Sequence, residues 1–233
     1  MNLSKYLYYE HDGITIYKGN CLDVMNVIES AQAIVTDPPF AFTGGISNGR
    51  SSECSDQFFA YWWRDVCKGM TRICGPMGSG FVWCDWKTAA AFAAGFAPEE
   101  QTYDFWRMSQ MLFHYREMPG MGRPFRSSVD MIAYIKGPKH RDPAIPNTTH
   151  NLISSYWYYG KHKYHPSEKS PEVAGRLIGW CSSEGDTILD PFMGSGTTLV
   201  AAKQLRRKAI GIEIEEKYCE IAKRRLAQEV LDL

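Results

Sequence analysis

The sequence predicts an α/β fold built on a doubly wound, mostly parallel sheet. Three observations support this prediction. Strand-like hydrophobic runs alternate with segments of helical periodicity, an order that requires parallel pairing. Two of the runs stop abruptly at turns with polar residues, Asp37-Pro38-Pro39 and Asp190-Pro191. The 233 residues, 44% of them hydrophobic, suffice for one domain with a sizeable core and exclude a disordered or fibrous chain.

The first part of the chain alternates in a regular way. In the segment 56–74 apolar residues recur every three or four positions, the helical period, and Gly75-Pro76 ends that helix. A further helix is short and rich in alanine. The predicted elements, in order, are the strands Ile14–Lys18 and Ala33–Thr36, the helix Asp56–Cys74, the strand Phe81–Cys84 and the helix Trp86–Gly95.

The last third repeats the alternation more clearly. Pro171 is suited to a helix start, where its missing N–H does no harm. The last helix is amphipathic and charged. The predicted elements are the helix Pro171–Ser183, the strand Thr187–Leu189, the helix Thr197–Leu205, the strand Ala209–Ile214 and the helix Glu216–Glu229.

The middle of the chain does not follow this alternation of strands and helices. Met111–Tyr115 and Val129–Ile135 have the composition of strands, but Gly/Pro-rich turns separate them. A long irregular stretch, Gly137–Asn151, follows. Loops of that length in a compact domain are usually functional or mobile, and a surface excursion without function is the alternative interpretation.

The first motif is Thr36-Asp37-Pro38-Pro39-Phe40, directly after a hydrophobic strand. Two prolines fix the backbone and remove two N–H donors, so carbonyl oxygens remain available to a ligand. The acid before them and the aromatic residue after them add a hydrogen-bond acceptor and a stacking surface. A strand-ending turn without chemistry is the alternative, although Asp-Pro-Pro-aromatic should arise by chance in roughly one chain in several hundred.

The second motif runs from Asp190 to Thr198 and joins a strand to a helix through a loop with Gly194 and Gly196. The loop lacks the third glycine of the dinucleotide fingerprint and the lysine of a P-loop, which disfavours a phosphate ligand. The next strand ends at Glu213, where an acid suits two ribose hydroxyls. Together the loop and the acid predict a nucleoside-bearing cofactor, and a plain αβ turn with a surface glutamate is the alternative interpretation.

Composition excludes several other classes. The longest mainly apolar run, Ala89–Ala97, is far shorter than the roughly 20 residues of a membrane span. The seven cysteines are an odd number without a C-x-x-C pair, which disfavours a disulfide framework and a zinc site. We expect buried thiols in a reducing cytoplasm and no metal.

Five segments of the chain, in a fixed order, resemble the S-adenosylmethionine-dependent DNA amino-methyltransferases, which act on adenine N6 or cytosine N4. In that family the segment matching Thr36–Phe40 is the catalytic corner, and the segment matching Asp190–Thr198 is the cofactor loop. Here the catalytic corner precedes the cofactor loop, as in the permuted group usually called class beta. Protein glutamine methyltransferases have the opposite order, which disfavours a protein substrate. The matching segments are Gly19–Asp23, Thr36–Phe40, His165–Pro171, Asp190–Thr198 and Gly211–Tyr218.

The resemblance implies a Rossmann-like class I methyltransferase fold and assigns roles to individual residues. Asp37, Pro38, Pro39 and Phe40 would form the catalytic corner, with Phe40 where the family more often has tyrosine. Lys169 would meet the methionine carboxylate of S-adenosylmethionine. The other residues implied to bind the cofactor are Asn20 (where the family more often has aspartate) and Cys21 at the adenine, Asp190, Phe192, Gly194, Ser195, Gly196 and Thr197 at the methionine and loop, and Glu213 at the ribose.

The predicted domain organisation is a catalytic domain of residues 1–106 and 164–233 with an inserted target-recognition region, 107–163. The whole chain has 26 Lys/Arg and 26 Asp/Glu, a formal net charge of zero that argues against a general nucleic-acid coat. Residues 107–166, however, include nine Lys/Arg and only three Asp/Glu. Arg123 and Arg126 of this segment are therefore predicted DNA contacts, and a solvated basic face is the alternative. Arg50 is a third predicted contact, because it lies in the Gly- and Ser-rich loop Ala41–Ser55, which we expect to close over the flipped base.

Taken together, these features predict a DNA methyltransferase that acts on adenine N6 in a flipped-out base of double-stranded DNA. The Asp37 corner favours adenine over cytosine as a habit of the family. Three alternatives stay open: a cytosine-N4 enzyme on the same fold, a catalytically silent binding module, and an RNA substrate. The resemblance also leaves open a homodimer and a cognate restriction enzyme as partners, in a prokaryotic or phage-type, nucleoid-associated setting.

Overall fold

A computed structural model describes residues 3–39, 56–86, 89–95, 106–116, 126–142, 145, 149–155 and 168–228. The strands are β1 (Leu7–His11), β2 (Ile14–Lys18), β3 (Ala33–Thr36), β4 (Ser79–Cys84), β5 (Arg107–Tyr115), β6 (Val129–Lys136), β7 (Leu152–Ser154), β8 (Thr187–Asp190) and β9 (Lys208–Glu213). The helices are α1 (Cys21–Met25), α2 (Asp56–Cys74), α3 (Ala89–Gly95), α4 (Pro171–Cys181), α5 (Thr197–Gln204) and α6 (Glu216–Ala227).

All of these strands belong to one sheet, in the order β1-β2-β9-β8-β3-β4-β6-β5-β7. The five central strands from β2 to β4 are parallel to one another. β1 pairs antiparallel with β2, and β6 runs antiparallel between β4 and β5. This arrangement confirms the predicted α/β fold with a mostly parallel sheet.

The strand sequences explain why helices cover both faces of the sheet. Successive side chains of a strand point to opposite faces, so a strand that is apolar throughout needs partners on both sides. Ile34 and Leu189 pack with residues of α1, α2 and α3 on one face. Their neighbours Val35 and Ile188 pack with residues of α4, α5 and α6 on the other. The result is the doubly wound architecture that the alternating pattern predicts.

Most predicted elements are present, and the differences concentrate at the edges of the sheet. The strands β1 and β7 and the helix α1 were not predicted. β1 is a half-exposed edge strand with no apolar run, while α1 has five residues and β7 three, too few for a periodic pattern. β5 begins at Arg107 instead of Met111, because its exposed early residues carry no strand signal.

The segment predicted as an inserted recognition region contributes strands to the common sheet. β6 pairs with β4 along its length, β5 pairs with β6, and β7 extends the edge beyond β5. The catalytic core and this segment therefore share one sheet. A role in target recognition stays a prediction, since residues 117–125 and 156–167, which join these strands to their surroundings, lie outside the described residues.

The fold brings the carboxyl ends of the parallel strands together at one edge of the sheet. Register places Ile34 beside Leu189, and Asp190 beside Gly211. Asp37, Asp190 and Glu213 therefore follow or end three adjacent strands at this edge, which we call the carboxyl edge. Ligands of open α/β sheets bind there. In the part of the chain that the structure describes, no helix is long and apolar enough to cross a membrane.

The close approach of the paired strands β3 and β4 at Gly80 allows a test of the fold. A Cβ atom at Gly80 would lie 2.2 Å from the carbonyl oxygen of Ile34, a backbone atom held by the sheet. We expect Gly80→Ala to lower the free energy of unfolding by about 1–3 kcal/mol through overpacking, measured by urea denaturation. The control is Gly179→Ala in α4, where a Cβ would meet nothing within 4 Å and should stabilise by up to about 1 kcal/mol. Equal stability of the two variants would contradict the proposed register.

Candidate active site

The catalytic corner begins where β3 leaves the core. All four residues of β3 are buried, whereas Asp37 is partly exposed and Pro39 is exposed. The Oδ2 atom of Asp37 lies 2.7 Å from Nζ of Lys169, with 25% and 15% of these side chains exposed. The rigid Pro-Pro turn thus presents a carboxylate at the carboxyl edge with a cation beside it. The resemblance implies that Lys169 meets the methionine carboxylate of the cofactor, whereas in the structure Lys169 pairs with Asp37.

A short hydrogen bond joins this corner to the next strand. The Thr36 hydroxyl donates to Oδ1 of Asp190 at 2.6 Å, and the backbone N–H of Phe192 donates to the same oxygen at 3.1 Å. Burial raises the pKa of Asp190 to about 6, against the lowering effect of hydrogen bonds from Thr36, Thr198 and Phe192. The two motifs found in the sequence are therefore in direct contact through Thr36, for which the sequence pattern alone predicts no role.

The loop after Asp190 requires glycine for two reasons. Gly194 and Gly196 have φ angles of +50° and +82°, in the left-handed region that other residues rarely adopt. At Gly196 a Cβ would in addition lie 2.8 Å from Cβ of Ala222 on α6. Helix α5 therefore begins at Thr197 with Gly196 as its N-cap, and α6 packs directly against the loop. Ser195 and Thr197 are buried in this arrangement.

Glu213 connects the loop to the end of β9. Its Oε2 accepts the N–H of Gly194 at 3.1 Å, and its Oε1 accepts the N–H of Glu215 at 2.8 Å. Burial raises the pKa of Glu213, and these backbone N–H groups act in the opposite direction. The N–H of Ile214 also hydrogen-bonds to this carboxyl group, and a carboxylate has about four acceptor positions, so it can still accept from a ligand hydroxyl. Ile214, which the sequence did not indicate, follows with 63% of its surface exposed.

Asn20 and Cys21 lie beside Glu213 at the start of α1. The N–H of Gly19 donates to the carbonyl of Glu213 at 2.9 Å, which fixes this neighbourhood. Asn20 is the N-cap of α1, with Oδ1 accepting from the N–H of Leu22 at 2.9 Å. Burial raises the pKa of Cys21 to about 11, so its thiol stays protonated at neutral pH. Both residues thus lie near Glu213, and their contact with a cofactor stays a prediction.

Two buried charged residues at the site were not predicted. Arg225 of α6 lies 3.1 Å from Glu168, and it also hydrogen-bonds to the loop at Ser195 and Thr197. Glu168 falls within the matching segment His165–Pro171, but only its neighbour Lys169 received a role. Nothing in the sequence distinguishes Arg225 from the adjacent Arg224, because both belong to a charged helix.

The remaining predicted residues are not all brought to the site. Phe40, Arg50 and Arg123 lie outside the described residues, so their roles stay predictions. Arg126 is exposed and precedes β6, which starts at the carboxyl edge because it runs antiparallel to β4. Among the described residues there is no group of three or more His, Cys, Asp or Glu arranged to hold a metal ion.

The site offers what a nucleoside with an amino acid attached would require. Carboxylates stand at the ends of β8 and β9, a glycine loop lies between them, and an exposed apolar side chain, Ile214, follows Glu213. A carboxylate can accept from an ammonium group or from hydroxyls, while an apolar surface suits a purine ring. The described residues therefore fit the predicted cofactor.

Comparison with known proteins agrees with this geometry. A family model for the N6/N4 enzymes, described as DNA methylase, matches residues 31–224. The chain belongs to this family. It is 28% identical to type II methyltransferase M.BamHI of Bacillus amyloliquefaciens over 94% of this chain and 58% of that protein. It is 27% identical to M2.LlaDCHI of Lactococcus lactis subsp. cremoris, over 94% of this chain and 91% of that one.

Solved structures show the same fold. The M1.HpyAVI–SAM complex superposes with a TM-score of 0.69 at 24% identity, over 91% of this chain and 98% of that chain. PvuII DNA methyltransferase, a cytosine-N4-specific enzyme, superposes with a TM-score of 0.70 at 16% identity, over 94% and 88% of the chains. The predicted family and fold class are confirmed. The family contains both N6 and N4 enzymes, so membership leaves the methylated base open.

Burial of Asp190 makes the stability of the protein depend on pH. The folded pKa of about 6 lies above the ordinary carboxyl value near 4, so the native state keeps a proton that the unfolded chain has lost. The free energy of unfolding should therefore fall by on the order of 3 kcal/mol as pH rises from about 4 to about 6.

Asp190→Asn removes this titration and leaves the other carboxyl groups in place. In urea denaturation from pH 4 to 7, without ligand, wild-type stability should decline relative to the Asn variant as pH rises. Parallel pH profiles of the two proteins would contradict the assignment.

Proposed function

We propose that this DNA methyltransferase transfers a methyl group from S-adenosylmethionine to the exocyclic N6 amino group of adenine in double-stranded DNA. The observation that carries the proposal is the Asp37 corner, held beside the cofactor loop by the 2.6 Å hydrogen bond from Thr36 to Asp190. It sets an acceptor for an amino group next to a site for a nucleoside-bearing cofactor. The finer choice of adenine rests on aspartate at the corner.

S-adenosylmethionine supplies an electrophilic methyl group on a sulfonium. The chain's own residues would hold this cofactor: Asp190 would accept from the amino group of its methionine part, and Glu213 from the ribose hydroxyls. Asn20, Cys21 and the exposed side chain of Ile214 would border the adenine. The loop residues Phe192, Gly194, Ser195, Gly196 and Thr197 shape the space between them.

The amino nitrogen that receives the methyl group is a poor nucleophile, because its lone pair is delocalised into the ring of the base. Asp37 and the carbonyl oxygen of Pro38 accept its two N–H bonds and draw the nitrogen towards tetrahedral geometry. Its lone pair then points at the methyl group. The carboxylate of Asp37 can hold Lys169 through Oδ2 and still accept a substrate N–H with its remaining lone pairs. The rigid corner would stabilise the positive charge that develops on the nitrogen as the methyl group passes from sulfur to nitrogen. The cofactor would leave as S-adenosylhomocysteine, and the nitrogen would lose one of its two protons.

Access to the base requires that it leave the duplex. An amino group inside stacked DNA cannot reach a corner at the sheet edge, so the target nucleotide must be flipped out. Phe40 is proposed to stack on the extruded ring. Arg50, Arg123 and Arg126 are proposed to contact the phosphates around it, since phosphate contacts fix position and register on DNA. A homodimer and a cognate restriction enzyme are separate hypotheses about partners.

The identity of the base is tested by incubating the purified protein with labelled S-adenosylmethionine and duplex DNA of mixed sequence. Digestion to nucleosides and mass spectrometry should give N6-methyldeoxyadenosine. N4-methyldeoxycytidine would replace the adenine proposal with the cytosine-N4 enzyme, and absence of any methylated nucleoside would indicate a silent binding module. Parallel incubation with single-stranded RNA tests the remaining substrate class.

Asp37→Ala should lower the rate of methyl transfer by about 100-fold or more, because the acceptor at the reacting nitrogen is lost. The rate is measured in single turnover at saturating cofactor and DNA. Asp65→Ala is the matched control, since Asp65 is 60% exposed on α2 and pairs with Lys68 within the same helix. A variant at Asp37 that retains wild-type rates would refute the catalytic assignment.

The double variant Arg123→Ala/Arg126→Ala should weaken DNA binding and lower the salt dependence of log K by about 1.8, the value for two phosphate contacts. Fluorescence anisotropy with a duplex at several salt concentrations measures both. Arg206→Ala/Lys208→Ala is the control, because these exposed residues lie at the opposite edge, where β9 begins. Unchanged affinity and slope in the first variant would contradict the predicted interface.

A further inference from the structure

Two oppositely charged side chains are buried together behind the cofactor loop. Nη2 of Arg225 lies 3.1 Å from Oε1 of Glu168, and the two side chains are only 9% and 3% exposed. Removing two charges from water costs several kcal/mol per ion, and well-packed apolar residues often serve stability equally well. A contribution to stability is therefore a poor explanation for this pair, and an orienting role is the better hypothesis.

The same guanidinium also holds the cofactor loop. Nη1 of Arg225 donates to the carbonyl oxygen of Ser195 at 2.8 Å, to the Ser195 hydroxyl at 3.1 Å and to the Thr197 hydroxyl at 3.2 Å. These contacts use the planar fork of arginine, in which the two terminal nitrogens serve different partners at fixed angles. A lysine would supply one point charge and could not reproduce both directions.

Glu168, the other member of the ion pair, is adjacent in sequence to a residue that contacts the catalytic corner. Glu168 is followed immediately by Lys169, whose Nζ lies 2.7 Å from Oδ2 of Asp37. On the far side of Lys169, the buried Ser170 caps α4 by accepting the N–H of Val173 at 3.3 Å. The backbone that carries Lys169 is thus fixed on both sides, by the ion pair before it and by the helix cap after it.

We propose that Arg225 is a positioning residue that holds the cofactor loop and the Lys169 segment in one fixed arrangement. Through Ser195 and Thr197 it sets the shape of the loop, and through Glu168 it sets the place of Lys169 at Asp37. The proposal rests on the proposed placement of S-adenosylmethionine at this loop. It does not depend on which base is methylated.

The first test measures binding of S-adenosylhomocysteine, the product form of the cofactor, by calorimetry in the absence of DNA. Arg225→Ala should weaken binding by about 10- to 100-fold, the range expected for lost charge-assisted hydrogen bonds. Arg225→Lys should recover only part of this loss. Arg224→Ala should bind within twofold of wild type, because Arg224 is 75% exposed and pairs with Glu220 on the same helix.

The second test separates positioning from a merely structural role. Glu168→Gln should lower kcat in the wild-type background, whereas in a Lys169→Ala background the same change should have little further effect on kcat. Such non-additivity is expected when one residue acts through another. If Glu168 had only a structural role, Glu168→Gln would lower kcat by the same factor in both backgrounds and would leave KM for the cofactor unchanged.

Circular dichroism and thermal melting report whether each variant is folded. If Arg225→Ala fails to fold, the more conservative variants decide the question: Arg225→Lys keeps the positive charge and Glu168→Gln keeps the size of the side chain. Folded variants with wild-type affinity for S-adenosylhomocysteine and additive effects on kcat would overturn the proposal. Wild-type protein that does not bind S-adenosylhomocysteine at all would instead refute the proposed cofactor site.

Discussion

The hydrogen bond from Thr36 to Asp190 is the contact on which the site depends. It is possible only because β3 and β8 are neighbours, so that two motifs separated by 154 positions end at the same edge. Adjacent parallel strands hold this spacing through their backbone hydrogen bonds, which leaves little freedom for the turns that follow. Asp37, the proposed acceptor for the amino group, and the loop after Asp190, the proposed cofactor site, therefore have a fixed relation to each other in the protein alone.

Burial of charge is the common feature of the residues around that contact. Asp190, Glu168 and Arg225 are almost fully buried, and Lys169 faces Asp37 at a partly exposed position. Such groups are costly to bury unless each has a partner, and here their partners come from different elements of the chain. The arrangement links α6, the cofactor loop, the segment before α4 and the catalytic corner. The role that we propose for this network is to orient groups, which would suit a site that must align two reactants.

The neutral charge of the whole chain is consistent with a DNA enzyme because its cations are unevenly distributed. Nine Lys/Arg and three acids fall between residues 107 and 166, and the sheet places the strands of this segment beyond β4, next to the catalytic corner. Because β6 and β5 run antiparallel in turn, the start of β6 and the end of β5 both lie at the carboxyl edge. Exposed residues such as Arg126 are thus on the side of the molecule where the proposed substrate would arrive.

The sequence by itself determined the α/β class and the two motifs, because short rigid turns and hydrophobic periodicity are local features that neighbouring residues encode. The family followed from the resemblance of five ordered segments to its known motifs. The sequence also indicated Asp37, Asp190 and Glu213, each at the end of a strand. The sequence did not predict edge strand β1 or the partners of Arg225, since both depend on contacts between distant segments. Only the tertiary structure decided that Lys169 meets Asp37 and that one arginine of a charged helix is buried at the loop, because burial and pairing of charge arise when the chain is packed.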